Sequence, residues 1–197
     1  MNIVGLPFEL RWLNRPVSFV HEEERLRIEA GPRTDWFVDP AGESAPIATG
    51  PALVGRAAGD YVLSAGVTVD FAATFDAGVL MLHADERNWA KLCFELSPDR
   101  KPMVVSVVTR GVSDDCNSFA VDGHSVRLRI ARLGSSFAFH ASTESERWEL
   151  IRHFSLGDSI DPEVGFEVQS PTGDGCTATF DDLRFEPRRL ADLRSGD

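Results

Sequence analysis

Apolar and polar residues alternate along most of this chain with a period of two. The clearest run is 61–71, where Tyr61, Leu63, Ala65, Val67, Val69 and Phe71 fall on one face and Ser64, Thr68 and Asp70 on the other. Strict alternation of that kind predicts a half-buried strand. The stretch 77–117 organises the rest: three short apolar runs separated by two polar turns, ending in the acidic cluster Ser113-Asp114-Asp115-Cys116-Asn117. Run 78–85 is apolar on both faces as far as Leu82, which predicts a central strand. Run 89–96 sets Ala90, Leu92, Phe94 and Leu96 against Trp89, Lys91, Cys93 and Glu95. Run 102–109 is β-branched, with Pro102 at its start, where a strand tolerates proline.

The pattern extends in both directions. Segments 17–20 and 25–30 read as strands joined at His21-Glu22-Glu23-Glu24, a solvated turn. Segment 31–51 is punctuated by Gly31-Pro32, Asp39-Pro40, Ala41-Gly42 and Gly50-Pro51, all turn signals. Inside that loop Thr34-Asp35-Trp36-Phe37-Val38-Asp39 places two aromatics beside two acids, either packed beneath the loop or presented to a ligand. Val126, Leu128 and Ile130 alternate with Arg127 and Arg129, and a turn at Leu133-Gly134-Ser135 leads to Phe137 and Phe139. Strands follow at 148–154, at Val164, Phe166 and Val168 (against Glu167 and Gln169), and at 176–185; 188–197 reads as a frayed or short helical tail. No segment sustains a helical period over more than about ten residues. A dozen or so strands spaced by turns predict an all-β fold of two packed antiparallel sheets. The 197 residues suit one domain, 1–197, with its core at about 17–187.

Net charge is −11, a sign that repels phosphate backbones and anionic lipid, so neither nucleic acid nor membrane is an expected partner. The first residues lack a basic stretch followed by an apolar core, so no secretory leader is expected. Cys93, Cys116 and Cys176 are odd in number and far apart, against a disulfide framework or a zinc site. A cytoplasmic setting with no cofactor and no metal is the expectation. Asp114, Asp115, Asn117 and Asp122 match no calcium-loop spacing, and Asx-rich turns satisfy their own backbone.

Candidate chemistry lies on the polar faces. Trp89, Lys91 and Glu95, then Arg127 and Arg129, then Glu167 and Gln169 would, on neighbouring strands, form a patch with a stacking surface and planar hydrogen-bonding groups suited to a sugar. The alternative is a solvated sheet face with cross-strand ion pairs.

The ordered set Thr34-Asp35-Trp36-Phe37, Asp76-Ala77-Gly78-Val79-Leu80-Met81, Asn88-Trp89-Ala90-Lys91-Leu92 with Glu95, the run from Val107 to Asp115, strand 127–132, Trp148 with Arg152, and Val164-Gly165-Phe166 before Gln169-Ser170-Pro171 resembles the regulation-of-enolase type family (domain of unknown function 1349). That family lies in the concanavalin A-like lectin/glucanase superfamily, and the resemblance covers roughly 31–185. It implies a jelly-roll sandwich with a concave and a convex sheet, and carbohydrate on the concave face. Glucanases of the superfamily carry closely spaced acids on one strand; here the corresponding run, 91–95, holds Glu95 alone.

Three functions follow as expectations. The first is a non-catalytic binding module for a saccharide or similar polar metabolite, using Trp89, Lys91, Glu95, Arg129, Glu167 and Gln169, with Trp36 and Asp115 at the rim. The second is a regulatory protein acting through a protein partner such as a metabolic enzyme. The third is a glycoside hydrolase or lyase with Glu95 and Glu167 as its carboxyl pair. No catalytic residue is assigned, and Cys93 and the histidines are read as packed or solvated side chains.

Overall fold

The computed structural model describes residues 1–143, 147–194 and 196–197. Numbered along the chain, the first seven-stranded sheet runs β1 (Leu10–Trp12), β6 (Ala52–Gly55), β15 (Glu163–Gln169), β8 (Ala77–Asp85), β9 (Asn88–Leu96), β10 (Pro102–Arg110) and β11 (Val112–Ala120) from edge to edge. The second runs β14 (Glu149–Phe154), β13 (Ser136–Ser142), β12 (Ser125–Leu133), β7 (Tyr61–Asp70), β16 (Cys176–Glu186), β3 (Arg25–Ala30) and β2 (Ser18–Glu22). A two-residue ladder, β4 (Trp36–Phe37) with β5 (Ile47–Ala48), completes the set, and every pairing is antiparallel. This is the two-sheet antiparallel sandwich the alternation predicts, in the jelly-roll form the family resemblance implies.

The main core lies between the sheets. Leu80, Leu92, Phe94 and Phe166 of the first sheet meet Leu63, Val67, Leu128, Phe139 and Phe180 of the second. All but Leu80, on the doubly apolar β8, come from the apolar half of an alternating strand, so the same period that makes the strand also selects its buried face. Gly78 sits where the sheets approach: a Cβ there would come within 2.7 Å of Val67 and 2.9 Å of Ala178.

Two sequence expectations need correction. The acidic cluster 113–117 is not a turn but the body of β11, whose charged residues suit an edge strand because they discourage pairing with another chain. The turn falls earlier, at Gly111, whose φ of 82° only glycine adopts without strain. The tail is neither frayed nor helical. Leu190 is buried with Val62, Ala131 and Ala138 on the outer face of the second sheet, and the carbonyls of Leu193 and Gly196 accept hydrogen bonds from His140 and Arg129. Segment 31–51, turn-punctuated as expected, crosses the outer face of the first sheet with Trp36 packed beneath it, where it builds a second apolar layer.

Candidate functional site

The outer face of the first sheet carries two kinds of side chain, sorted by what covers them. Trp89 and Cys93 of β9, Val79 and Met81 of β8, Ala52 and Val54 of β6, and Val105 and Val107 of β10 form an apolar cluster capped by Trp36 and Val38. The segment bearing Trp36 is tied down at three places. Its Thr34 bridges Ser170, the Val38 backbone exchanges hydrogen bonds with Ser113 (both 2.9 Å), and Asn14 donates to the Ala48 and Gly50 carbonyls. The Trp36 indole donates to the Gly50 carbonyl at 2.8 Å and meets Trp89 edge-on, ring centres 6.0 Å apart.

Beyond this strap the face opens into a cavity of about 370 Å³. Lys91, Glu95 and Gln169 line it from β9 and β15, Met103 and Val107 from β10, and Asp115 and Asn117 from β11; Asp35 and Phe37 enter from the strap and Phe75 from the β7–β8 connection. Register explains the grouping. Val107 lies opposite both Lys91 and Asp115, Val105 opposite Asn117, and Met103 opposite Glu95, so one face of three adjacent strands converges on one space.

Lys91 is buried, and its Nζ donates to Asp35 Oδ1 at 3.0 Å and to Gln169 Oε1 at 2.7 Å. Gln169 in turn donates to the Phe75 carbonyl at 3.2 Å. Burial opposes the Lys91 charge, but Asp35 and the other anionic groups around it outweigh that and hold the ammonium above its ordinary range. Burial pushes the Glu95 carboxyl up to about 8, against the pull of Lys91 and with Asp115 and Asp35 adding to the rise. Asp115 is raised in the same way.

Phe75 has a φ of 69°, a left-handed conformation that costs a bulky residue about 1–3 kcal/mol. Its neighbour explains how it is held. The fully buried Asp76 carboxylate accepts the Ala72 and Ala73 amides and the Ser170 hydroxyl, while the Phe75 amide donates to Leu96 O at 2.8 Å. The turn is over-determined, and it leaves Phe75 38% exposed at the cavity.

The structure therefore brings together Lys91, Glu95, Asp115 and Gln169 of the expected set, and it corrects the remainder. Trp89 and Trp36 are 0% and 3% exposed, so neither offers a stacking face; they support the wall, and Phe37 and Phe75 supply the aromatic lining. Arg129 is on β12 of the other sheet, buried beneath the tail with its guanidinium 4.4 Å from the Trp148 ring. Glu167 is on the correct face but 0% exposed and outside the cavity lining, and neither of its oxygens has a hydrogen-bond partner among the described residues. A Cβ on Gly50 would lie 2.3 Å from Glu167 Oε1, so the strap seals this carboxyl in. Burial pushes it up to about 8. Glu95 and Glu167 are also separated by β8 instead of lying on neighbouring strands, and Glu167 is sealed away from the cavity that Glu95 lines. Sequence reasoning missed Phe75, whose signal was the Asp-terminated turn 72–76, which reads only as loop chemistry; Phe37 and Asn117, weighed there as a loop aromatic and as a turn residue, also line the cavity.

The chain matches the family described as Protein of unknown function (DUF1349) over residues 12–188. It belongs to that family. Among curated relatives, Regulation of enolase protein 1 of Saccharomyces cerevisiae is 27% identical over 179 residues, 86% of this chain and 85% of that one. Among solved structures, a functionally unknown protein from Saccharomyces cerevisiae superposes with a TM-score of 0.83 at 22% identity, covering 92% of this chain and 98% of the other. The carbohydrate-binding module CBM66 of Bacillus subtilis gives 0.56 at 16% identity, with 94% and 97% covered. The GH43 protein BlXynB of Bacillus licheniformis gives 0.71 at 14% identity, where the match spans 91% of this chain but 37% of that one. The last three likenesses establish the shared sandwich fold.

Proposed function

We propose that this chain is a non-catalytic binding module that holds a saccharide or similar polyhydroxylated small molecule in the cavity on the outer face of its first sheet. The cavity itself carries the reading: about 370 Å³, within the size range of small-molecule sites, with aromatic walls and a hydrogen-bonded polar floor. Phe75, presented in a costly backbone conformation, supplies the apolar face against which a sugar ring would stack. Lys91, Asp35 and Gln169 fix one another before any ligand arrives, which lowers the ordering cost of binding. The shared fold with a carbohydrate-binding module is in keeping with that ligand class.

The test is a thermal-shift and calorimetric panel of neutral mono- and oligosaccharides with Phe75→Gly as the control. Glycine accepts the φ of residue 75 without strain, so the variant should fold at least as well as the parent while losing the ring. A ligand at a hundredfold over its Kd stabilises by about 2.7 kcal/mol, a shift of roughly 5–10 °C for a domain of this size. Absence of any shift, or binding undiminished in Phe75→Gly, overturns the reading.

A second reading, regulation through a protein partner, draws on the relative named for enolase regulation and on one surface feature. Strand β2 is a free sheet edge where Phe19 and Val20 are exposed, next to exposed Val17. Co-sedimentation with a purified enolase, with Phe19→Lys as the control, checks it; no co-sedimentation, or none lost in the variant, counts against it.

A further inference from the structure

We propose that the ligand of this cavity carries a protonated amine, received between the carboxyl groups of Glu95 and Asp115. The inference rests on the cavity being the ligand site, and it narrows the class of ligand. The cavity's one cation, Lys91, is already committed to Asp35 and Gln169. Glu95 from β9 and Asp115 from β11 flank β10, offset along it by the span from Met103 to Val107, with Asp115 level with Lys91 across Val107. Neither carboxyl has a side-chain ion pair among the described residues, whereas Asp114, on the other face of β11, is paired with Arg152 at 2.9 Å. The lining thus offers two carboxyl groups without an ion pair among the described residues, beside the apolar side chains of Met103 and Val107.

The charged and titratable groups facing Glu95 are Lys91 and Cys93 on its own strand, Asp115, Asp35 from the strap and the buried Glu167 of β15. Three of these five are carboxylic acids, and the carboxyls of Glu95, Asp115 and Glu167 are all raised by desolvation against the Lys91 ammonium, with the Arg152 guanidinium adding its pull on Asp115. An incoming phosphate or carboxylate would add a like charge to that field. An ammonium relieves it, and as it binds, Glu95 gives up its proton, because a cation beside a carboxyl favours the ionised form. The hydroxylated or apolar remainder of the ligand would lie on Phe37 and Phe75.

Isothermal titration with matched probes tests this: glucosamine against glucose and N-acetylglucosamine, galactosamine against galactose, and cyclohexylamine as an amine without hydroxyls. Each is run at pH 7 in two buffers of different ionisation enthalpy, so that protons released can be counted. The expected result is at least tenfold tighter binding of the amines than of their neutral counterparts. Net proton release should accompany it, and both should be lost in Glu95→Gln and weakened in Asp115→Asn. Asp115 is exposed, so the second variant keeps the test valid if the first folds poorly.

Neutral sugars binding as tightly as their amines would overturn the amine and leave the saccharide reading standing. Cyclohexylamine binding with no preference for the amino sugars over it would support the amine and remove the saccharide. Amine binding indifferent to both variants, or no amine binding at all, overturns the inference.

Discussion

The buried carboxyl of Glu167 makes a sharp prediction about stability and pH. It lies under Gly50 and Trp36, fully buried, with no hydrogen bond to either oxygen among the described residues, and burial pushes it up to about 8 although Lys91 pulls the other way. In the unfolded chain a glutamate titrates near 4.3. Between those two values the folded protein keeps a proton that the unfolded chain has lost. Stability therefore falls as pH rises from about 4.3, and the loss is complete once pH passes the folded value. The slope for one carboxyl is at most about 1.4 kcal/mol per pH unit, so from pH 5 to 8 Glu167 should cost on the order of 3 kcal/mol. Glu167→Gln removes the titration and keeps the shape. Urea unfolding of both proteins at pH 5, 6, 7 and 8, at constant ionic strength, should show the variant gaining on the parent by about that amount as pH rises. Any fixed difference from the amide's own hydrogen-bonding needs is independent of pH, so the slope is the readout. Glu95 adds a drift of the same sign, smaller because that residue is only partly buried, and Glu95→Gln/Glu167→Gln should flatten the profile further. Parallel profiles, or a variant that loses ground with rising pH, would show that Glu167 is ionised in the folded state and held by Lys91, and the reasoning would fail.

Three other perturbations follow from the same geometry. Trp36→Ala removes the cap of the second apolar layer and should cost about 3–5 kcal/mol in denaturant unfolding, while flattening the pH profile as water reaches Glu167. Asp76→Ala strands two amides and a hydroxyl, at about 1–3 kcal/mol each when buried; the measured loss should exceed about 3 kcal/mol, and saccharide binding should fall with it because Phe75 is released. Deleting 188–197 exposes the patch under Leu190 and Leu193 and removes the carbonyl partner of Arg129, so a drop of about 3 kcal/mol or more is expected, and an unchanged midpoint would contradict a packed tail.

The sequence by itself determined the strands and their inward faces, because a half-buried strand must alternate and the alternation is written residue by residue. Runs 61–71, 89–96 and 126–130 gave both the element and the side facing the core, and the doubly apolar 78–82 correctly marked a central strand. Strand β11 escaped because an edge strand with both faces wet has no apolar period, and Asp-Asp-Cys-Asn reads as turn chemistry. The outer face was legible only in part. Lys91 and Glu95 were seen to share a side with Trp89 and Cys93, yet that one side is divided between a covered half and an open half. The division depends on where segment 31–51 lands, through Thr34 to Ser170, Val38 to Ser113 and Asn14 to Gly50, contacts between residues up to 136 positions apart. Sheet membership was equally out of reach. Arg129 and Lys91 both occupy the polar side of an alternating strand, but the chain crosses from the first sheet to the second between β11 and β12, so the arginine ends beneath the tail while the lysine floors the cavity. Local periodicity sets which way a side chain points relative to its own strand. Which strands become neighbours, and what lies over their outer face, is set by long-range pairing and by the burial that pairing makes possible; only the folded chain decided those.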